Sequence, residues 1–122
     1  QLAGSPARPK KTVMLYLLTT HRIVVKHTNM KAQILLNQRQ PISELAFVEM
    51  VVWRVPTPIT GSVHGFKYRL ALVVNGSCVL RYDNEMGKGD HKHMGEHEIP
   101  YIFTTPQALL NDFWNDVDNW RL

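Results

Sequence analysis

Tyr68-Arg69-Leu70-Ala71-Leu72-Val73-Val74-Asn75-Gly76-Ser77-Cys78-Val79-Leu80-Arg81-Tyr82-Asp83-Asn84 sets two apolar, strand-forming runs on either side of an Asn-Gly pair. Asn-Gly tolerates the positive φ angles of a type I′ turn, so the stretch reads as a β-hairpin with strands Tyr68 to Val74 and Ser77 to Asn84. With Asn75 and Gly76 as the two turn residues, Val74 faces Ser77, Leu70 falls opposite Arg81 and Tyr68 opposite Asp83. On the other face Arg69 meets Tyr82 and Lys67 meets Asn84. The hairpin is then apolar near its turn and polar at its open end.

Upstream, Leu45 to Arg54 contains Phe47, Val48, Val51, Val52 and Trp53, too β-branched and aromatic for a preferred helix, and is expected to be a central strand. Gln33-Ile34-Leu35-Leu36 reads as a short strand, closed by the polar turn Asn37-Gln38-Arg39-Gln40-Pro41. The prolines of Val55-Pro56-Thr57-Pro58-Ile59-Thr60-Gly61-Ser62 remove ladder donors, so this segment is a loop that delivers His64. Downstream, Tyr101-Ile102-Phe103 is a short strand candidate, and Thr104-Thr105-Pro106 signals a helix start with a hydroxyl cap and proline at the first position. Leu109, Leu110, Phe113, Val117 and Trp120 recur at helical spacing, with Asn111, Asp112, Asn115, Asp116 and Asp118 falling largely away from them. The expected architecture is α+β: a small antiparallel β-sheet covered on one face by a C-terminal α-helix.

A chain of 122 residues with 44% hydrophobic content suits one domain with one modest core. The one cysteine, Cys78, lies in an apolar run and reads as a buried thiol, which favours a reducing, cytoplasmic setting. The net charge of +4 is unevenly spread: residues 1–29 hold Arg8, Lys10, Lys11, Arg22 and Lys26 and no acid, while residues 30–122 hold nine Lys/Arg against ten Asp/Glu. The body is nearly neutral, so overall basicity argues little for nucleic-acid binding and only a local basic patch could supply it. Residues 1–29 read either as an N-terminal extension, disordered or adding a strand over Arg22 to Lys26, or as the product of a start assigned too early, with Met30 the natural one. Residues 30–122 form the single domain. The apolar run Val13-Met14-Leu15-Tyr16-Leu17-Leu18 is far short of the roughly 18 residues of a membrane span, so no membrane partner is expected.

Chemistry concentrates in Arg81-Tyr82-Asp83-Asn84-Glu85-Met86-Gly87-Lys88-Gly89-Asp90-His91-Lys92-His93, which mixes proton carriers, fixed cations and carboxylates around two glycines. A metal site would draw on His91, His93, His97 and an acid such as Asp90 or Glu98. The His91-x-His93 pair with Glu98 is similar to the first metal motif of cupins, but a cupin needs its second histidine motif on a later strand and the remaining residues offer only one short strand and a helix. Metal-independent RNA cleavage needs a base for the 2′-hydroxyl, an acid for the leaving 5′-oxygen and cations for the charge growing on phosphorus. Histidines, with a reference pKa of about 6.5, suit the first two tasks. His91 and His93, on a glycine-bounded loop, are therefore the candidate acid and base. Asp83 or Asp90 would orient one of them, and Lys67, Arg69, Arg81 and Lys88 would stabilise phosphate. His91, His93, Asp83 and Lys67 form the candidate catalytic set; His64, Tyr68, Arg69, Arg81, Lys88 and Asp90 form the substrate-binding set. The plainer alternative for the same residues is a solvated loop with salt-bridging Arg and Asp, and Arg39 and Arg54 read as ordinary surface charges.

Three segments resemble the TumE-type toxin family of prokaryotic toxin-antitoxin systems: Val52-Trp53-Arg54-Val55-Pro56, then Gly61-Ser62-Val63-His64-Gly65-Phe66-Lys67-Tyr68-Arg69-Leu70, then the Arg81 to His93 stretch. The resemblance covers about residues 30 to 119 and leaves residues 1–29 without a counterpart. It implies the toxin of a type II toxin-antitoxin system, a ribonuclease that suppresses growth and is made beside an antitoxin, a small winged-helix DNA-binding protein. The matching polar residues are His64, Lys67, Tyr68, Arg69, Arg81, Asp83, Asn84, Lys88, Asp90, His91 and His93, and the resemblance does not say which perform catalysis. His97 departs from the family pattern, which weighs against a three-histidine metal site. No cofactor and no metal are expected. The competing readings are a non-catalytic RNA- or protein-binding module and a metal-dependent hydrolase using the His91/His93 loop.

Overall fold

The computed structural model describes residues 31–120. The possible strand over Arg22 to Lys26 and the alternative start at Met30 lie outside them. Six strands run in chain order across one antiparallel sheet: β1 Gln33–Ser43, β2 Ala46–Arg54, β3 Phe66–Val74, β4 Ser77–Asp83, β5 His91–Met94 and β6 His97–Pro100. One helix follows, α1 Pro106–Asn119, and it packs on the sheet through β3 and β4. The expected α+β architecture is the one observed.

Alternation explains which side the helix covers. Val48, Met50 and Val52 of β2 stand opposite Leu72, Leu70 and Tyr68 of β3, and Leu70 and Leu72 in turn stand opposite Tyr82 and Leu80 of β4. All are buried with Leu109, Leu110, Phe113, Trp114 and Val117 of α1 in one core. The helix begins as its sequence predicts: Thr105 caps it by accepting from the Ala108 amide at 3.1 Å, with Pro106 next. Its acidic residues do not all face away from the sheet. Tyr82 donates to Asp116, Lys92 donates to the same carboxylate at 3.1 Å, and Tyr101 donates to Asp112 at 2.6 Å.

Asn75 and Gly76, at φ +52° and +79°, make the expected turn, but the hairpin register differs from the sequence reading. Val74 does face Ser77 and Val73 faces Cys78; a bulge at Val79 then places Leu72 opposite Leu80, Ala71 opposite Arg81, Leu70 opposite Tyr82 and Arg69 opposite Asp83. An unbroken register would put Arg81 on the core face beside Leu70. The extra residue shifts the phase by one, so that Leu80 and Tyr82 enter the core and Arg81 and Asp83 project from the other face.

Four further expectations are corrected. β1 continues through the supposed polar turn to Ser43, because β1 is an edge strand of the described sheet, where Pro41 costs no interior ladder bond. His91 and His93 lie on β5 rather than in the glycine loop, which ends at Asp90. Tyr101–Phe103 is not a strand; the sixth strand is β6, joined to β5 by a turn at Gly95 and Glu96. Cys78 is exposed, being next to the hairpin tip and beyond the reach of the helix.

Candidate functional site

The structure divides the predicted cluster between two networks. The first clips the proline loop to the glycine loop. Asp90 accepts from Ser62 Oγ at 2.7 Å, from Tyr68 Oη at 2.6 Å and from His64 Nε2 at 2.7 Å. Since His64 Nδ1 accepts from the Phe66 amide, Nε2 carries the proton given to Asp90. Ser62 and His64 therefore both point at the carboxylate, not at each other, and make no nucleophile–base pair. Burial alone would raise the Asp90 carboxyl, but the three donors outweigh it and hold it below its ordinary value. Burial, reinforced by the bond to Asp90, pushes the Tyr68 phenol far up.

Asn84 completes this clip at the point where β4 ends. Fully buried, it donates from Nδ2 to the Phe66 carbonyl at 2.8 Å and to Ser62 Oγ at 3.1 Å, and accepts from the Tyr68 amide at 3.0 Å. The side-chain amide thus takes over hydrogen bonds that a longer β4 would make. The loops touch through Gly61 and Gly89, both at positive φ; a Cβ on Gly61 would stand 2.5 Å from the Gly89 nitrogen. The His64 ring stacks on Phe103 at a centroid separation of 3.8 Å. His64, Tyr68 and Asp90 are thereby committed to one another and away from the two β5 histidines.

The second network lies on the sheet face opposite the helix. Alternation sends Lys92 of β5 to the helix side and both of its neighbours, His91 and His93, to the other side, where His91 pairs with Asp83 and His93 with Arg81 across β4. Arg81 Nε donates to Asp83 Oδ2 at 2.7 Å, and Asp83 Oδ1 stands 3.2 Å from His91 Nε2. His91 is only 3% exposed, and its Nδ1 donates to the Gly89 carbonyl at 2.9 Å. The glycine-loop clip therefore also sets the orientation of this ring. The His93 ring meets His91 edge-on at 5.0 Å, and its side chain is 24% exposed. Burial, followed by the nearby Arg81 charge, lowers the His93 pKa below the ordinary imidazole value and so favours the neutral ring.

Around the histidine pair, Arg69 stands opposite Asp83 and reaches Glu49 at 3.9 Å, while Glu49 also meets Arg39 at 3.6 Å. Lys67 occupies the same face of β3, opposite Trp53. On the other side Glu98 of β6 pairs with His93 and holds Lys88 at 3.0 Å, a bond that keeps its carboxyl below the ordinary value. His91, His93 and Glu98 are brought within 4.8 Å of one another through their ligand atoms. His97, opposite Met94 on the helix side and exposed, does not join them. Sequence reasoning missed Ser62 as a partner of Asp90. The signal for Glu98 was present: a two-residue turn at Gly95-Glu96 places it directly across from His93.

Among the described residues, a six-stranded sheet with one helix on one face, and Arg81, Arg69, Lys67 and Lys88 around two adjacent histidines on the other, defines a small α+β protein. A family model described as "Toxin TumE" matches residues 17–121, and the chain belongs to the TumE toxin family. The match takes in residues 17–29, for which the motif resemblance finds no counterpart. No curated protein and no solved structure matches the chain. A toxin family suggests a cognate antitoxin as partner. Among the described residues no helix is long and apolar enough to cross a membrane.

Proposed function

We propose that this toxin is a metal-independent endoribonuclease of a type II toxin-antitoxin system, acting in the cytoplasm and held in check by a small winged-helix DNA-binding antitoxin. The observation that carries the reading is the β4–β5 register, which sets His91 beside Asp83 and His93 beside Arg81 on one face. A neutral His93 accepts the 2′-hydroxyl proton of RNA. The 2′-oxygen attacks phosphorus, and the bond to the 5′-oxygen breaks as that oxygen receives a proton from His91, which Asp83 and the Gly89 carbonyl hold in place. Arg81, Arg69, Lys67 and Lys88 neutralise the charge that grows on the phosphoryl oxygens. Glu98 occupies the place of a bound anion: its carboxylate lies within 4.8 Å of both imidazoles and on the Lys88 ammonium, and a phosphate entering the site takes over that cation. His64, Tyr68, Asn84 and Asp90 act one step back, by fixing the loop that ends at His91.

The reading is tested by inducing the wild type and His93→Ala in growing cells and following growth and RNA integrity together. Growth arrest with fragmented RNA for the wild type, and normal growth with intact RNA for a stably expressed His93→Ala, is the expected result. Arrest by both proteins with intact RNA would refute it and favour a toxin that binds without cutting.

A further inference from the structure

Two imidazole nitrogens on the sheet face opposite α1 are buried without a hydrogen bond. His91 Nε2 and His93 Nε2 are both buried and make no hydrogen bond, although Asp83 Oδ1 is 3.2 Å from the former, off the line a hydrogen bond requires. His91 commits Nδ1 to the Gly89 carbonyl, so Nε2 is the ring nitrogen left to hold an ion. Anchoring one ring nitrogen on a backbone carbonyl while the other faces a shared space is the arrangement that fixes metal-ligating histidines. Glu98, directly across from His93 on β6, brings a carboxylate oxygen to 4.0 Å from His93 Nε2.

We propose that His91 Nε2, His93 Nε2 and the Glu98 carboxylate bind one divalent transition-metal ion of the zinc class, and that the ion switches RNA cleavage off. The switch, though not the binding, rests on the histidine acid–base reading above. Two nitrogens and one carboxylate suit zinc and its neighbours rather than magnesium or calcium, which prefer oxygen alone. Bonds of about 2.1 Å at tetrahedral angles place ligand atoms roughly 3.4 Å apart, so a present spread of up to 4.8 Å closes by at most about 1.4 Å. Glu98 is the ligand able to move, since it is exposed on the short β5–β6 hairpin and its hydrogen bond is to an exposed Lys88. A bound ion occupies the two ring nitrogens through which protons would otherwise be taken up and given, which is why it inhibits.

The full chain, stripped with chelator and exchanged into buffer, is titrated with Zn²⁺ against a colour-forming chelator. One bound ion is expected at this site, lost in His93→Ala and weakened on the order of tenfold or more in Glu98→Gln. It is expected to be unchanged in His97→Ala and tightened in Lys88→Met, which frees the Glu98 carboxylate. Should His93→Ala fail to fold, the exposed Glu98→Gln carries the test; an affinity unmoved by that change and by Lys88→Met overturns the site. RNA cleavage is measured in parallel. Loss of cleavage at one equivalent of Zn²⁺, restored by chelator, supports the switch, and stimulation by Zn²⁺ overturns it. Zinc binding with no cleavage under any condition supports the site but overturns the ribonuclease reading and the switch with it.

Discussion

Replacing Asn84 with alanine removes a side chain that is fully buried and bonded on every polar atom: Nδ2 to the Phe66 carbonyl and Ser62 Oγ, Oδ1 to the Tyr68 amide. Alanine leaves the buried Tyr68 N–H without its acceptor and takes one hydrogen bond from the Phe66 carbonyl, at the end of β4 where no strand residue stands to replace the amide. An orphaned buried group costs about 1–3 kcal/mol, to be set against a typical total stability of about 5–15 kcal/mol. For a domain of this size that lowers the melting temperature by roughly 5–20 °C. Urea unfolding followed by tryptophan fluorescence gives the free energy, and amide hydrogen exchange at Tyr68 should accelerate beyond the global change. A loss under about 0.5 kcal/mol, with Tyr68 protection intact, would refute the claim that Asn84 closes the ladder.

Tyr68, Tyr82 and Tyr101 are all held protonated, first by burial and then by the carboxylates of Asp90, Asp116 and Asp112. Their folded pKa values lie above the unfolded value of about 10, so the unfolded chain loses protons first and stability, complete below pH 10, falls as pH rises beyond it. Absorbance titration should therefore show these three ionising together with unfolding rather than one by one. Exposed Cys78 should react with a thiol reagent under native conditions at a rate close to that in urea, and strong native protection would show that the bulge region is covered. Gly61→Ala should destabilise the fold and depress RNA cleavage, because its Cβ meets the Gly89 nitrogen at 2.5 Å in a loop that anchors His91; unchanged stability and cleavage would count against the loop clip.

The helix and the Asn75-Gly76 turn are legible in the sequence because each rests on local chemistry: a hydroxyl cap followed by proline, apolar residues at helical spacing, and two residues able to take positive φ. The hairpin register is not, because the bulge at Val79 is settled by the core. Counting from the turn alone puts Arg81 beside Leu70, whereas burying Leu80 and Tyr82 under α1 requires one extra residue. Pro41 misleads in a similar way, since whether a proline ends a strand depends on whether the strand lies at an edge. At the candidate site, sequence proximity brings His91, His93, Asp83 and Arg81 together correctly but adds His64, Tyr68 and Asp90, which the fold draws into the separate loop clip. His91-Lys92-His93 holds the clue: alternation along a strand sends the flanking histidines one way and the lysine to Asp116 of the helix.

The most direct test of the β5 histidine pair is cleavage of total cellular RNA by purified protein in excess chelator, comparing the wild type with His93→Ala and sequencing the fragment ends. The account predicts fragments bearing 2′,3′-cyclic phosphates from the wild type and a loss of rate on the order of 100-fold or more from a folded His93→Ala. Intact RNA with the wild type, or equal cleavage by both proteins, would contradict it.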